Sequence, residues 1–488
     1  MLIQCSLIQC PARCRTNGAR PTFRPRFHDP MCSITTQFFM IKRNLPQLFV
    51  AFLSCLALAA CAPAPPAVLP PMPASLRVPD IAYGVSTAAY QNEDPACEPL
   101  AADCFRTDWD LAFEAGRIPH AKGDAAYAFS ETQRDIDALT WLGATHYRFG
   151  IEWARVEPRP GAFNQAAIDH YADFARRLRE AGIEPVPCLW HWTFPDWLTD
   201  LDRPERHGWL HPDAATHWVE YVSRLAAALA PHCNLFAPMN EPNIQSLAGF
   251  VVGDFPPFAE WRFDLNDANR AATIDAFLVA VRIIRAIHAT HAAPAAPAAR
   301  IISIDIRTAW HQSPLDPLGL FVNFLREGSY AHLDGVVDEV DIVGFTYYGR
   351  QQATVEGAAN REPGASSGYS DLGIEIYPQG LTEALAEMFA RYGKPMAIME
   401  NGIADDRDDR RPVYLVTHLA AVQEAIDRGY PVFGYFFWSL CDNYEWMDGY
   451  RPKFGLFGFE PASRGLTPKA SADLYRRLIE ARGEDFVP

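Results

Sequence analysis

The feature of this chain that most constrains its fold is an alternation of two kinds of segment, repeated eight times from Asp80 onward. Short apolar, β-branched or aromatic runs alternate with longer segments that are apolar at three- and four-residue intervals, the period of an amphipathic helix. The runs that predict strands cover 81–87, 145–153, 183–192, 234–241, 301–310, 340–349, 395–402 and 431–440. Segments of helical period include 131–143, 166–182, 273–290 and a last one near 468–482. Eight strand–helix units predict an α/β protein, a (β/α)8 TIM barrel with a single catalytic domain.

The composition limits the partners that such a domain can have. The chain has 488 residues, of which 49% are hydrophobic and 21% charged, so it can bury a large core. Its formal net charge of −16 is diffuse, and it has no concentrated basic footprint of the kind that binds phosphate backbones. We therefore expect no nucleic-acid partner.

Residues 1–61 differ in kind from the rest of the chain. A short basic stretch at Met40–Arg43 precedes the apolar run LFVAFLSCLALAAC, which ends at Cys61 and is too short to span a bilayer. This pattern predicts a signal peptide and indicates that residues 1–39 precede the true start. The ending Leu-Ala-Ala-Cys resembles a bacterial lipobox, which implies cleavage before Cys61 and acylation of its thiol. An ordinary signal peptide cut nearby is the alternative.

The order of these segments predicts where the protein is found. Residues 62–79 are rich in proline and lack helix or strand patterning, so we expect an extended tether ahead of a domain at 80–488. The protein would be exported and held at the periplasmic face of a bacterial membrane only through a lipid anchor on Cys61. With an ordinary signal peptide it would be a soluble periplasmic or secreted protein.

The cysteines of the predicted domain do not indicate a metal site. Cys97 and Cys104 lie close together in a polar loop, where an oxidising compartment would permit a local disulfide; two free thiols are the alternative. No four cysteines have zinc spacing, and no histidine pair occurs in HExxH order. The sequence calls for neither a metal nor an organic cofactor.

Polar and aromatic residues gather where the predicted strands end, and in a (β/α)8 barrel those ends line the mouth that binds substrates. The residues at these positions are Gln91, Arg148, His191, Asn240, Glu241, Tyr348, Glu400, Trp438, Glu445 and Trp446. Glu241 follows the fourth strand and Glu400 ends the seventh. Two such carboxyls are suited to cleaving a glycosidic bond, because one can protonate the leaving oxygen while the other attacks the anomeric centre.

Each of these residues alone also has an ordinary structural explanation. Glu241 fits a loop position in a turn set by the following proline, and the Asn-Gly after Glu400 fits simple turn chemistry. Arg148 could hold Glu400 ionised, or it could form a purely structural ion pair inside the barrel. Trp438 and Trp446 offer flat faces for a sugar ring, although a single tryptophan is more often part of a core. The combination favours catalysis.

Seven motifs occur in the same order as in one known family: YGVSTAAYQNE (83–93), YRFGIEWARVEP (147–158), GIEPVPCLWHWTFPDWL (182–198), NEP (240–242), TYY (346–348), MENG (399–402) and WSLCDNYEW (438–446). Through them the chain resembles glycoside hydrolase family 1, the β-glucosidase family, over nearly all of residues 80–482. The resemblance implies that Glu241 is the acid/base and Glu400 the nucleophile. It also implies a sugar pocket lined by Gln91, His191, Asn240, Tyr348, Trp438, Glu445 and Trp446, with Phe454 near it.

The chain departs from the family pattern at several positions. Thr346 stands where the family usually has the Asn of Asn-Tyr-Tyr, Thr193 where His-Trp-Asp is usual, and Asp94 where a glycine is usual. The usual Asp-His-Tyr is replaced around 123–129. Because an amide near the nucleophile reaches further than a hydroxyl, we expect Thr346 to change rate or substrate preference and not the core mechanism. Family members that act on 6-phosphorylated sugars resemble a pattern with serine at the position of Glu445, because a carboxylate there would repel the phosphate. The resemblance therefore implies an unphosphorylated glycone.

The sequence therefore predicts a retaining exo-β-glycosidase of the β-glucosidase type. It would hydrolyse the terminal non-reducing β-D-glycosyl residue of a small carbohydrate by double displacement. A transglycosidase, which passes the glycosyl group to an acceptor other than water, would carry the same residues. A sugar-binding lipoprotein that has lost catalysis is the remaining alternative. The presence of both glutamates, Arg148 and Tyr348 argues against that alternative.

Overall fold

Parallel strands at the centre of the molecule close into a ring. The computed structural model describes residues 67–95, 104–293, 296–312, 316, 318–354, 357–359 and 367–488. The strands of the ring are β1 (Ala82–Ser86), β2 (His146–Gly150), β3 (Glu184–Cys188), β4 (Leu235–Phe236), β5 (Asp305–His311), β6 (Val343–Thr354), β7 (Met396–Asn401) and β8 (Val432–Trp438). All eight strands lie within the predicted segments or overlap them, so the predicted barrel is confirmed.

The ring is closed by β4, which has only two residues in regular pairing. Seven strands pair without a break in the order β3-β2-β1-β8-β7-β6-β5. On one side β4 is joined to β3 through a bridge between Cys188 and Ala237. On the other side it pairs with Arg300–Ile301, which lies just ahead of β5. Hydrogen bonding therefore runs around the whole circle, as a (β/α)8 barrel requires.

One long helix follows each strand and covers the outside of the ring. These helices are α1 (Thr132–Leu142), α2 (Gln165–Glu180), α3 (Ala214–Leu229), α4 (Phe263–His291), α5 (Leu320–Val336), α6 (Pro378–Tyr392), α7 (Arg411–Asp427) and α8 (Ala470–Glu480). Helix α2 shows why they pack this way, since it buries Ile168, Tyr171, Phe174 and Leu178 at three- and four-residue spacing. Helix α1 ends at Gly143, whose φ of 72° suits a left-handed C-cap.

Shorter elements fill the connections at both ends of the barrel. Short helices cover Ala89–Asn92, Asp108–Glu114, Trp153–Val156, Asp196–Leu198, Pro204–Arg206, Gly208–Leu210, Pro242–Leu247, Ala248–Val252, Val337–Glu339 and Trp446–Asp448. Strands Phe457–Glu460 and Gly465–Pro468 form a hairpin. Strand Gly357–Ala359 pairs with the end of β6. None of the described helices is long and apolar enough to span a membrane.

The sequence pattern misplaced the end of the sixth strand. The apolar pattern predicts that this strand ends at 349, whereas β6 continues to Thr354. Beyond the barrel it pairs with the end of β5, with Trp310 opposite Gln351 and His311 opposite Gln352. The apolar pattern does not predict this extension, because its residues are mostly polar. Backbone pairing to a neighbouring strand holds it, and it has no fully buried face.

Part of the predicted tether belongs to the domain. Leu76–Arg77 forms a strand antiparallel to Asp485–Phe486 near the carboxyl terminus. Leu76 and Val78 are buried, and Leu69 packs against the cluster of Ile376, Ile403 and Tyr414. A boundary at residue 80 is therefore too late, because backbone pairing holds this proline-rich stretch without the side-chain pattern of a strand. Residues 1–66, including Cys61, lie outside the described residues.

The cysteines within the described residues are structural. Cys188, Cys233 and Cys441 are free thiols and buried. Cys104 is disulfide-bonded. Cys97 lies outside the described residues, so the predicted Cys97–Cys104 pair stays a prediction.

Candidate active site

Glu241 lies at the mouth of the barrel on a strained piece of backbone. It directly precedes helix Pro242–Leu247, and its φ of 45° places it in the left-handed region, which is rare for a residue with a side chain. Its N–H donates to the carbonyl of Ile304 at 2.8 Å, and the N–H of Asn240 donates to the carbonyl of Trp190 at 2.9 Å. The sharp turn after β4 is thus tied to both neighbouring strands, which fixes where the carboxyl points.

Glu400, on β7, is held by a cation and a phenol. Its Oε1 lies 2.5 Å from Nη2 of Arg148, which is fully buried on β2. The hydroxyl of Tyr348, on β6, donates to Oε2 at 2.5 Å. Only 3% of Glu400 is exposed, so the guanidinium acts on it with little screening by solvent. The predicted contact between Arg148 and Glu400 is present.

Glu241 has a different kind of partner. The hydroxyl of Thr346 donates to its Oε1, and among the described residues it forms no ion pair. Thr346 and Tyr348 are two residues apart on β6 and therefore face the same side of the strand. One reaches Glu241 and the other Glu400, which brings the two carboxyls to the same side of β6. The Thr346 backbone pairs with Glu400, but its hydroxyl contacts Glu241. The predicted change in rate or substrate preference stays a prediction.

The two carboxyls lie in different electrostatic environments. Burial raises the pKa of Glu241 well above its usual value, and the negative charge of Glu400 raises it further. The hydrogen bond from Thr346 and the more distant charge of Arg148 oppose that increase. The arrangement therefore favours a protonated Glu241 beside a Glu400 that is paired to a guanidinium.

Arg148 also organises the polar wall beside the glutamates. Its Nη1 donates to Oδ1 of Asn240 at 2.5 Å, and the amide of Asn240 lies 3.1 Å from Nε2 of His191. Burial and the charge of Arg148 hold the pKa of His191 well below its usual value, so the ring is neutral. Because Nε2 accepts from the Asn240 amide, the ring proton lies on Nδ1, which has no partner among the described residues. A donor is thus left for a ligand.

Gln91 and Glu445 form a second polar wall. The Gln91 amide donates to Oε2 of Glu445 at 3.1 Å and to the carbonyl of Tyr444 at 2.8 Å, while its Oε1 has no partner among the described residues. Burial and, next, the charge of Glu400 raise the pKa of Glu445 to about 8. The pair can present both an acceptor and a carboxyl to the hydroxyls of a sugar.

Aromatic residues enclose the space between these walls. The His191 ring lies 6.1 Å from Trp438 and 6.1 Å from Trp446, and Phe454 lies 5.9 Å from Tyr348. Trp438, Trp446 and Phe454 are all at most 5% exposed. The predicted pocket residues thus lie together around Glu241 and Glu400, and only Cys61 lies outside the described part of the chain.

Trp446 packs against further aromatic rings, of which the sequence predicts only Trp192 for the barrel mouth, at the end of the third strand. Its ring lies 4.6 Å from Trp109, 4.9 Å from Trp192 and 5.7 Å from Tyr90. Tyr90 and Trp109 come from the connection between β1 and α1, and Trp192 comes from the one after β3. The apolar pattern around Tyr90 and Trp109 is that of an ordinary core, so no sequence signal marks the three as a group. Within the described residues no cluster of histidine, cysteine, aspartate and glutamate has the form of a metal site.

The departures from the family pattern have local explanations. Asp94 accepts hydrogen bonds from the backbone N–H of Ser130 at 3.0 Å and from its hydroxyl at 2.5 Å. A carboxylate in place of glycine thus ties the loop after β1 to Ser130, which directly follows the replaced motif at 123–129. Thr193 donates to both oxygens of Glu152, at 3.1 and 2.9 Å. Neither contact reaches Glu241 or Glu400.

Comparison with known proteins decides the family. The family model "Glycosyl hydrolase family 1" matches residues 77–317 and 332–484. The chain belongs to glycosyl hydrolase family 1. As a family 1 protein it is a β-glucosidase-like glycoside hydrolase whose substrates are carbohydrates.

Relatives within family 1 cover most of the chain at modest identity. A β-galactosidase of Sulfolobus acidocaldarius is 29% identical over 411 residues, which are 72% of this chain and 83% of that protein. The galactolipid galactosyltransferase SFR2 of Arabidopsis thaliana chloroplasts is 27% identical over 378 residues, covering 74% of this chain but only 59% of the plant protein. The structure of a hyperthermophilic β-glucosidase from Pyrococcus furiosus superposes with a TM-score of 0.72 at 25% identity, over 83% of this chain and 96% of that one.

Proposed function

We propose that this family 1 protein is a retaining exo-β-glycosidase in which Glu400 is the nucleophile and Glu241 the acid/base. The unequal surroundings of the two buried carboxyls carry the proposal. Glu400 is paired with Arg148, which favours an ionised nucleophile, whereas Glu241 has only a neutral donor and a raised pKa. One charged and one protonated carboxyl is the starting state that double displacement needs.

The reaction follows from that starting state in two steps. First, Glu400 attacks the anomeric carbon while Glu241 gives its proton to the glycosidic oxygen, so the aglycone leaves and a glycosyl ester forms on Glu400. Esterification removes the negative charge that had raised the pKa of Glu241. The ionised Glu241 then takes a proton from water as the water oxygen attacks the anomeric carbon and frees Glu400.

The remaining pocket residues support recognition of an unphosphorylated terminal sugar. Hydrogen-bond donors and acceptors that are still free can bind sugar hydroxyls directionally, and they lie on His191, Gln91 and Glu445. Trp438 and Trp446 can cover the apolar face of the ring. A carboxyl at Glu445 would repel a phosphate when ionised, which agrees with the family resemblance.

The stereochemical course tests this proposal most directly. Hydrolysis of an aryl β-glucoside followed by NMR is expected to release the β anomer first, with the α anomer appearing only by mutarotation. A panel of aryl β-glucosides, galactosides, fucosides and mannosides would rank the glycones. Release of the α anomer first would mean inversion and would exclude an ester on Glu400.

Transfer to an acceptor other than water is a second candidate. Its support is the relative named as a galactolipid galactosyltransferase, which shares the matched region with this chain. In an aryl β-galactoside reaction with a large excess of a second galactoside, a transferase would give mainly a new disaccharide by mass spectrometry. A hydrolase would give mainly free galactose at the same acceptor concentration.

We also propose that the protein is an exported lipoprotein anchored through Cys61. The support is the basic and apolar pattern ahead of Cys61 and its lipobox-like ending. Radiolabelled palmitate fed to expressing bacteria should label the wild-type chain and not the Cys61→Ala variant. Soluble wild-type protein without label would support an ordinary signal peptide instead.

A further inference from the structure

Thr346 is the one residue of the TYY motif whose side chain differs from the family pattern and also reaches a glutamate of the site. It is fully buried on β6, and its backbone pairs in register with Glu400 on β7. Its side chain nevertheless reaches past that neighbour, and its hydroxyl donates to Oε1 of Glu241. Among the described residues this hydroxyl is the only hydrogen-bond donor to the Glu241 carboxyl.

The choice of oxygen matters for acid catalysis. An oxygen that accepts the Thr346 hydroxyl proton acts as the carbonyl oxygen of the protonated carboxyl, so the acidic proton lies on Oε2. No described residue donates to Oε2, so that oxygen has no hydrogen bond within the described part of the chain. Once Glu241 has given up its proton, the same hydroxyl stabilises the carboxylate, since a hydrogen bond to the charged form favours that form.

We propose that Thr346 is a positioning residue that directs the acid/base proton of Glu241 to Oε2 and supports the ionised carboxylate in the second step. This inference rests on the proposed roles of Glu241 and Glu400. In the first step the proton passes from Oε2 to the glycosidic oxygen as the bond from that oxygen to the anomeric carbon breaks. In the second step Oε2 takes the proton of the attacking water, and the bond between the anomeric carbon and Glu400 breaks.

The Thr346 hydrogen bond is one of two influences that lower the pKa of Glu241, and the other is the more distant charge of Arg148. Burial and the charge of Glu400 both raise the pKa of Glu241, and the Thr346 hydrogen bond opposes them. Without it, Glu241 would stay protonated at higher pH before glycosylation. It would also stay protonated at higher pH in the glycosyl-enzyme, where it must act as a base.

The Thr346→Val variant tests the inference, since it keeps the branched shape and removes the hydroxyl. A hydrogen bond is stronger to the ionised carboxylate than to the neutral carboxyl, so its loss should move the basic limb of the kcat/KM profile upward by about one pH unit. For a substrate whose deglycosylation limits turnover, the acidic limb of kcat should move upward similarly. Thr346→Ser should restore both limbs, because serine keeps the donor.

Thr193→Val is the matched control, because Thr193 makes the same kind of contact to a different buried glutamate. It should leave both limbs in place. Thermal unfolding of each variant separates loss of structure from loss of positioning. A folded Thr346→Val enzyme with wild-type limbs would overturn the inference. Full activity in Glu241→Gln on a poor leaving group would instead overturn the proposed function, whatever the Thr346 result.

Discussion

Two buried glutamates in this barrel accept a hydrogen bond from a threonine, and both threonines replace residues usual in the family. Glu241 accepts from Thr346, and Glu152 accepts from Thr193. Both carboxyls are at most 3% exposed. Burial also raises the pKa of both: well above the usual value for Glu241 and to about 7 for Glu152.

The two carboxyls differ in how many of their oxygens already accept a hydrogen bond. Thr193 contacts both oxygens of Glu152, and the N–H of Ala154 donates to one of them at 3.1 Å. Thr346 contacts only one oxygen of Glu241, and the ionised Glu400 lies beside it. A raised pKa in a buried carboxyl therefore does not by itself mark a catalytic acid. An open oxygen distinguishes Glu241, since Glu152 also has an acidic neighbour, Glu93, whose charge raises its pKa.

The largest expected effect comes from changing Glu400, the acidic neighbour of Glu241. Glu400→Gln keeps the shape of the side chain but cannot form the glycosyl ester, so kcat for an aryl β-glucoside should fall by about a thousandfold or more. Steady-state assays with enzyme of verified folding check this. Turnover close to wild type would remove Glu400 from the nucleophile role and with it the basis of the comparison.

Glu241→Gln should have a large effect that depends on the substrate. General acid catalysis contributes about 10²–10⁴-fold, so glycosides with poor leaving groups should react slower by that factor. Glycosides of acidic phenols need little protonation and should form the glycosyl-enzyme at close to the wild-type rate. A slope of log(kcat/KM) against phenol pKa that is steeper than in wild type is the measurement. Equal loss across the series would contradict an acid role.

Glu152→Gln is the matched substitution and should hardly affect catalysis. Glu152 contacts Thr193 and the backbone of Ala154, and no residue of the sugar pocket. We expect kcat/KM within about threefold of wild type on both classes of leaving group. A leaving-group dependence like that of Glu241→Gln would mean that the two threonine–glutamate pairs are functionally equivalent, contrary to the distinction drawn from their free oxygens.

The sequence could predict the barrel and the placement of the two proposed catalytic glutamates because these depend on local pattern. Each strand carries its own apolar run, and Glu241 and Glu400 stand at the ends of two of them. The Thr346 contact could not be predicted in this way. It depends on the register of β6 against β7 and on the left-handed backbone at Glu241, which are set by the closed ring. The pairing of Leu76–Arg77 with the carboxyl terminus was missed for the same reason.

The smallest expected effect is on how the stability of the protein changes with pH, and it concerns Glu152. The pKa of Glu152 is raised by burial from 4.5 to about 7, so between those values the folded state holds a proton that the unfolded state has lost. Raising the pH through this window therefore lowers the free energy of unfolding, and by linkage the cost is about 3 kcal/mol once Glu152 is ionised. Glu152→Gln cannot ionise and should escape that cost. Urea unfolding at about pH 5 and about pH 8 should show wild type losing that much more stability than the variant. Parallel losses in the two proteins would mean that Glu152 is already ionised at the lower pH, stabilised by Thr193 and the Ala154 N–H more strongly than burial opposes it.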